Sequence, residues 1–153
     1  MFPVNTIGKF SLLFSAYLLI SFIVSNAIAF TIIGAIAYIF IIGPIYLAFV
    51  LYLLLTTLKH RQHRPRYRWK WLKIAVVAQV VMLLASPSSC FGSKQGRACY
   101  SFLQAQLTND NLQTIANAPA HWTFIEVLFP IAALIHLITI GLFLSKLLPR
   151  QSK

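Results

Sequence analysis

The chain has 153 residues, of which 59% are hydrophobic and only 10% charged, and its mean hydropathy is +0.78. Thirteen Lys and Arg stand against two acids, Asp110 and Glu126, for a formal net charge of +11. This excludes a water-soluble domain, which at this size leaves too much surface exposed to hide so many apolar side chains, and it excludes chemistry that needs paired carboxylates.

A membrane-spanning helix takes roughly 20 apolar residues, and the sequence offers four such stretches separated by short polar segments. The expected fold is an all-α, four-transmembrane-helix bundle forming a single polytopic domain over 1–153. No internal repeat or low-complexity tract interrupts it.

The first span is expected over about 10–26. Ser11, Ser15, Ser21 and Ser25 fall within an arc of ~120° at the helical period, the pattern of a close helix–helix seam. Lys9, an apolar run and Ala27-Ile28-Ala29 also have the form of a signal peptide with a small-residue cleavage site. The apolar run continues well past that site, so the segment is expected to remain as a span. Ala27 to Ile32 is uncharged and short, and reads as a tight turn. The second span is expected over about 33–58, with Tyr38, Tyr46 and Tyr52 along it. Pro44 removes one backbone hydrogen bond near its middle and predicts a kink.

A strongly basic segment, 59–73, follows, with Lys59, Arg61, Arg64, Arg66, Arg68, Lys70 and Lys73. Its spacing His60-x-x-His63 is one that metal ligands use. The surrounding cations oppose a divalent ion, and neither Cys nor carboxylate completes a set, so no metal site is expected. Attraction to anionic lipid headgroups explains the run; an acidic partner would use the same charges, and nucleic acid is not expected. The third span, about 69–86, opens with Trp69 and Trp71 at headgroup level and Lys70 and Lys73 able to snorkel. Gln79 is its one polar residue at mid-depth.

Residues 87–121 form the longest polar segment. Cys90 and Cys99, separated by eight residues that include two Gly, lie within reach of a disulfide, and a structural bridge that clips this exterior loop is expected. Tyr100, Leu103 and Leu107 share one helical face, and Leu112 and Ile115 another, with Thr108-Asn109-Asp110 as caps between them. One or two short amphipathic helices are expected here. The fourth span, about 122–148, carries Trp122 at its start, Pro130 in its first half, and two ionisable residues. Glu126 lies about one turn in, near enough the boundary to reach water, Lys94 or Arg97. His136 lies near mid-depth, ~15 Å further along the axis, and is expected to bond across the bundle to Gln79 or a Ser of the first span. An intramembrane ionisable group is often functional, so Glu126, His136 and Gln79 are the candidate functional polar residues.

Charge sorts by side. With four spans, Lys9, the seven cations of 59–73, and Lys146, Arg150 and Lys153 share one face; Lys94 and Arg97 occupy the other. By the positive-inside rule both termini are expected in the cytoplasm, of a bacterial inner membrane, with 87–121 and its cysteines in the oxidising exterior.

In this layout the chain resembles the DsbB family of quinone-linked disulfide oxidases: four helices, cytoplasmic ends, and a Cys pair between spans three and four. The resemblance implies thiol redox chemistry at Cys90 and Cys99. That family carries a second Cys pair in its first exterior loop, whereas residues 27–32 contain no Cys. A second alternative is a small proton-coupled transporter using Glu126, although such exporters place the acid in the first span. The leading expectation is a non-enzymatic protein, without a cofactor, that binds as an accessory, assembly or protective factor of a larger membrane complex. Immunity factors against pore-forming toxins share its size and topology.

Overall fold

The computed structural model describes residues 7–29, 31–60, 69–90, 99–108 and 122–147, without the side chains of Ile33, Ser89, Cys90, Cys99, Thr108 and Glu126. In chain order the elements are α1 (Ile7–Ile28), α2 (Ile32–Ile36), a π-helical segment (Ala37–Ile42), α3 (Gly43–Lys59), α4 (Trp69–Ala85), β1 (Pro87–Cys90), β2 (Cys99–Ser101), α5 (Phe102–Thr108) and α6 (Thr123–Ser145). Three helical stretches are long and apolar enough to cross a bilayer: Ile7–Ile28, Gly34–Lys59 and Thr123–Ser145. The protein is an all-α membrane protein with one short hairpin. α4 has 17 residues, or about 25 Å of axis.

Side-chain distribution is inverted relative to a soluble protein. Leu12, Phe40, Leu47, Leu55, Val77, Phe124 and Leu134 are exposed, while Ser21, Ser25, Gln79 and His136 are buried. In water that outer surface would drive aggregation; against lipid tails it costs nothing.

The helices alternate in direction. α1 runs antiparallel to α3, with Gly8 facing Thr57 and Gly43 facing Phe22. α6 runs parallel to α3, with Tyr38 edge-on to Phe129 at 5.8 Å between ring centroids and Gly141 against Phe49. α4 lies along α6 in the most extensive helix pairing of the fold. Across the centre, Phe14 stacks on Phe10 and on Phe143 at centroid separations of 5.4 and 5.6 Å, and Phe10 meets Phe143 at a tilt at 5.8 Å, which ties α1 to α6.

Pro44 acts through the turn before it. Having no N–H, it cannot serve the carbonyl of Phe40. The chain widens to π geometry over the preceding six residues, and the Gly43 N–H donates to the carbonyl of Tyr38, five residues back. The expected break in the second span is therefore this π segment. α6 continues through Pro130 as one helix.

The turn between α1 and α2 is pinned to the hairpin. Thr31 Oγ1 accepts from the Gly34 N–H at 3.1 Å, capping α2, and donates to the Pro87 carbonyl at 3.0 Å. A Cβ on Gly34 would lie 3.0 Å from Ala29 Cβ and 3.2 Å from the Pro87 carbonyl oxygen, so any side chain there requires its neighbours to give way. β1 and β2 pair antiparallel, with Cys90 opposite Cys99 and an irregularity between Pro87 and Ser89. The Ser86 carbonyl accepts from the Phe102 N–H at 2.8 Å, and Ser101 Oγ caps α5 by accepting from the Gln104 N–H at 3.0 Å.

This region differs from the expected helical loop. Tyr100 belongs to β2 and is buried there, so it does not share a helix face with Leu103 and Leu107. Strand pairing opens the segment because β1 follows directly on α4 and its partner returns within the loop. The second expected helix, at Leu112 and Ile115, and the caps Asn109 and Asp110 lie outside the described residues.

Candidate functional site, a polar chain across the bundle

Buried polar side chains from the four long helical stretches meet in one hydrogen-bonded chain. Tyr17 on α1 donates to Gln79 Oε1 on α4. Gln79 Nε2 donates to Ser21 Oγ, one turn further along α1. Ser21 Oγ lies 3.1 Å from the Tyr46 hydroxyl on α3. The Tyr46 hydroxyl lies 2.6 Å from His136 Nε2 on α6, and His136 Nδ1 lies 2.8 Å from the Ala75 carbonyl. Ala75 precedes Gln79 by one turn of α4, so the chain begins on α1, visits α3 and α6, and returns to α4.

Partner chemistry sets the direction of every bond. The Ala75 carbonyl can only accept, so Nδ1 carries the hydrogen. In a neutral imidazole Nε2 then accepts from Tyr46. Tyr46, its one hydrogen committed, accepts from Ser21, and Ser21 accepts from the Gln79 amide. The five donors run in one sense from Tyr17 to Ala75, an order in which neighbouring dipoles reinforce one another.

That arrangement restricts what the site can do. Both ring nitrogens of His136 are engaged by protein atoms, so binding a metal or haem iron requires release of Tyr46 or Ala75. Gln79 interrupts any proton path between Tyr17 and Ser21, because an amide does not exchange protons as a hydroxyl or imidazole does. The chain joins side chains of all four long helical stretches to one another. No family model, characterised protein or solved structure is similar to this chain.

The structure brings together some of the polar residues singled out in the sequence. Gln79 and His136 are in the same chain, and Ser21 contributes from the α1 stripe. His136 does not touch Gln79 or a serine directly, because the Tyr46 hydroxyl stands between them. Tyr17 and Tyr46 do not stand out in the sequence as site residues; Tyr46 and Gln79 each occupy the middle of an apolar helix, and that shared depth is the only signal it offers. Glu126 lies in the first turn of α6, its side chain outside the described residues.

Lys59, Lys70 and Lys73 are exposed at one end of the bundle. Lys70 and Lys146 both approach the Trp71 ring, at 5.5 and 5.7 Å from its centroid, a cation–π contact that joins the ends of α4 and α6. Arg61, Arg64, Arg66, Arg68 and His63 lie outside the described residues, as do Lys94 and Arg97. Away from the chain, the buried hydroxyls of Ser25, Tyr38 and Ser86 complete no hydrogen bond among the described residues, although those of Tyr38 and Ser86 are neighbours. Among the described residues no cluster of His, Cys, Asp or Glu suits a metal ion.

Proposed function

We propose that this is a four-span membrane protein that works by binding, as an accessory, assembly or protective factor of a larger membrane complex. The observation that carries the reading is the closed polar chain from Tyr17 to Ala75. The buried groups best placed for chemistry at mid-depth are committed to one another, which leaves the basic end and the hairpin end as the surfaces for function.

α4 is the fourth span in this reading. At Ala75 and Gln79 it is bonded directly to α1 and α6 and through them to Tyr46 of α3, so a bilayer that contains the level of those residues on the other three helices contains the middle of α4. A helix of ~25 Å is slightly short for a ~30 Å hydrocarbon core, and Trp69, Lys70 and Lys73 at its end suit the interface. The steep charge asymmetry supports both termini in the cytoplasm of a bacterial inner membrane, with the hairpin outside. Cys90 directly opposite Cys99 supports a disulfide there, since paired antiparallel residues have Cα atoms ~4.5–5.5 Å apart, within the disulfide range. The basic segment 59–73 then meets anionic headgroups on the inner leaflet.

Purification in mild detergent tests the reading: a second membrane polypeptide in fixed stoichiometry is expected, and a monomer that never retains one contradicts it. The same Cys register is what a thiol-redox protein would also require. Thiol trapping in membranes separates the two, because a structural bridge stays oxidised when the redox couple of the medium is varied and a catalytic pair cycles.

A further inference from the structure

We propose that the outer groove between α4 and α6 is a binding slot for one acyl chain of an anionic phospholipid, whose headgroup is held by Lys73 at the basic end of the bundle. Among the described residues two grooves of similar size open on the outer face. The one between α1 and α3, of about 420 Å³, is lined by no cation. The one between α4 and α6, of about 380 Å³, includes Lys73 in its lining.

From Lys73 the α4 wall continues through Val77 and Ala78, and the α6 wall through Ile135, Ala132, Ile131 and then Leu128. Ala78 and Ala132 are buried, while Val77 and Ile131 are exposed. Small residues at the helix contact thus make the floor, and larger ones make the rims. If a methylene takes about the volume of a water molecule, ~30 Å³, the groove holds on the order of a dozen, most of one acyl chain. Its wall is apolar, with Lys73 contributing its aliphatic stem and carrying its ammonium beyond the wall, which suits a hydrocarbon chain and leaves no group to bond a polar ligand at depth.

Charge stands at one end of the groove. Lys73 is exposed there and takes part in its lining, while Lys70 and Lys146, at the same end of the bundle, lie over the Trp71 ring. Beyond Lys73 the groove is lined only by apolar side chains. A phosphate ester with a hydrocarbon tail matches that sequence of environments. A partner's apolar helix would match the groove but leave the lysines unanswered.

The slot rests on α4 lying in the bilayer. The full chain is reconstituted in phosphatidylcholine vesicles containing a minority of phosphatidylglycerol, and chain-labelled spin probes of both lipids are recorded. A motionally restricted component that favours phosphatidylglycerol is expected. Val77→Trp, or Ile131→Trp from the opposite rim, is expected to abolish it for both lipids. Lys73→Gln is expected to keep the component but lower the preference for phosphatidylglycerol roughly fivefold, the weight of one charge at the surface. A restricted component unchanged by both tryptophans, or a preference indifferent to Lys73→Gln, overturns the slot. So does its absence from the wild type together with crosslinking between copies through Val77→Cys, which assigns the groove to a second chain. A nitroxide at Val80 that is accessible to water rather than to lipid removes the span reading itself, and so distinguishes that failure from failure of the slot alone.

Discussion

Tyrosine-to-phenylalanine changes at three positions separate a bonded hydroxyl from a merely buried one. Tyr46→Phe removes the hydroxyl that links Ser21 to His136, two interhelical hydrogen bonds at once. Within a bilayer such bonds are worth ~0.6 kcal/mol on average and at most ~1.7. The change also strands His136 Nε2 and the Ser21 hydroxyl in a buried site, and an unsatisfied buried group costs about 1–3 kcal/mol. Allowing partial relaxation, the expected loss is ~1–3 kcal/mol. Tyr17→Phe cuts one half-buried bond at the end of the chain and should cost ~0.5 kcal/mol. Tyr38 is fully buried, and its hydroxyl has the Ser86 hydroxyl as a neighbour without completing a hydrogen bond among the described residues. Tyr38→Phe should therefore be neutral or stabilise by up to ~1 kcal/mol. Reversible unfolding in mixed micelles with increasing sodium dodecyl sulfate gives all three values under one condition. If Tyr38→Phe costs as much as Tyr46→Phe, ring packing rather than hydrogen bonding sets the ranking, and the polar chain does not hold the helices together.

Gln79→Leu should cost ~1–2 kcal/mol by cutting both bonds between α4 and α1, and a double-mutant cycle with Ser21→Ala should show coupling of ~0.6 kcal/mol; additivity would mean that the two residues act apart. Gly34→Ala forces its new Cβ against the Pro87 carbonyl and should lower stability by ~1–3 kcal/mol. Gly8→Ala, whose Cβ meets only Thr57 Cγ2 at 3.7 Å, should be tolerated in the same unfolding assay. Alkylation without reductant should leave Cys90 and Cys99 unmodified, and Cys90→Ser should cost ~2–3 kcal/mol, the loop entropy of one short bridge. In a cysteine-free background an impermeant maleimide applied to intact cells should label a cysteine at position 94 but not one at position 64; the reverse pattern inverts the topology.

Membrane embedding, the positions of the long helices and the grouping of basic residues are legible in the sequence, because each follows from local composition. A run of apolar residues needs lipid whatever it packs against, and α4 begins and ends within a residue of where its pattern begins and ends. Gln79 and His136 stand out as polar residues in apolar surroundings. Their partners do not. Tyr17 and Tyr46 look like any tyrosine of an apolar helix, and only the meeting of α1 with α4 and of α3 with α1 and α6 makes their hydroxyls the links. The hairpin is hidden for a related reason: Pro87–Cys90 has no strand pattern of its own and becomes a strand through pairing with Cys99–Ser101.

The sequence by itself determined the solvent of this protein, its helices and its distribution of charge, since burial energy and electrostatic bias are sums over neighbouring residues. Tertiary structure alone decided which polar groups meet, that Pro44 is absorbed by a π turn, and that Lys73 stands at the mouth of a groove. Hydrogen bonds and packing depend on distances of a few ångströms between residues far apart in the chain, such as Tyr46 and His136, and no local pattern encodes them.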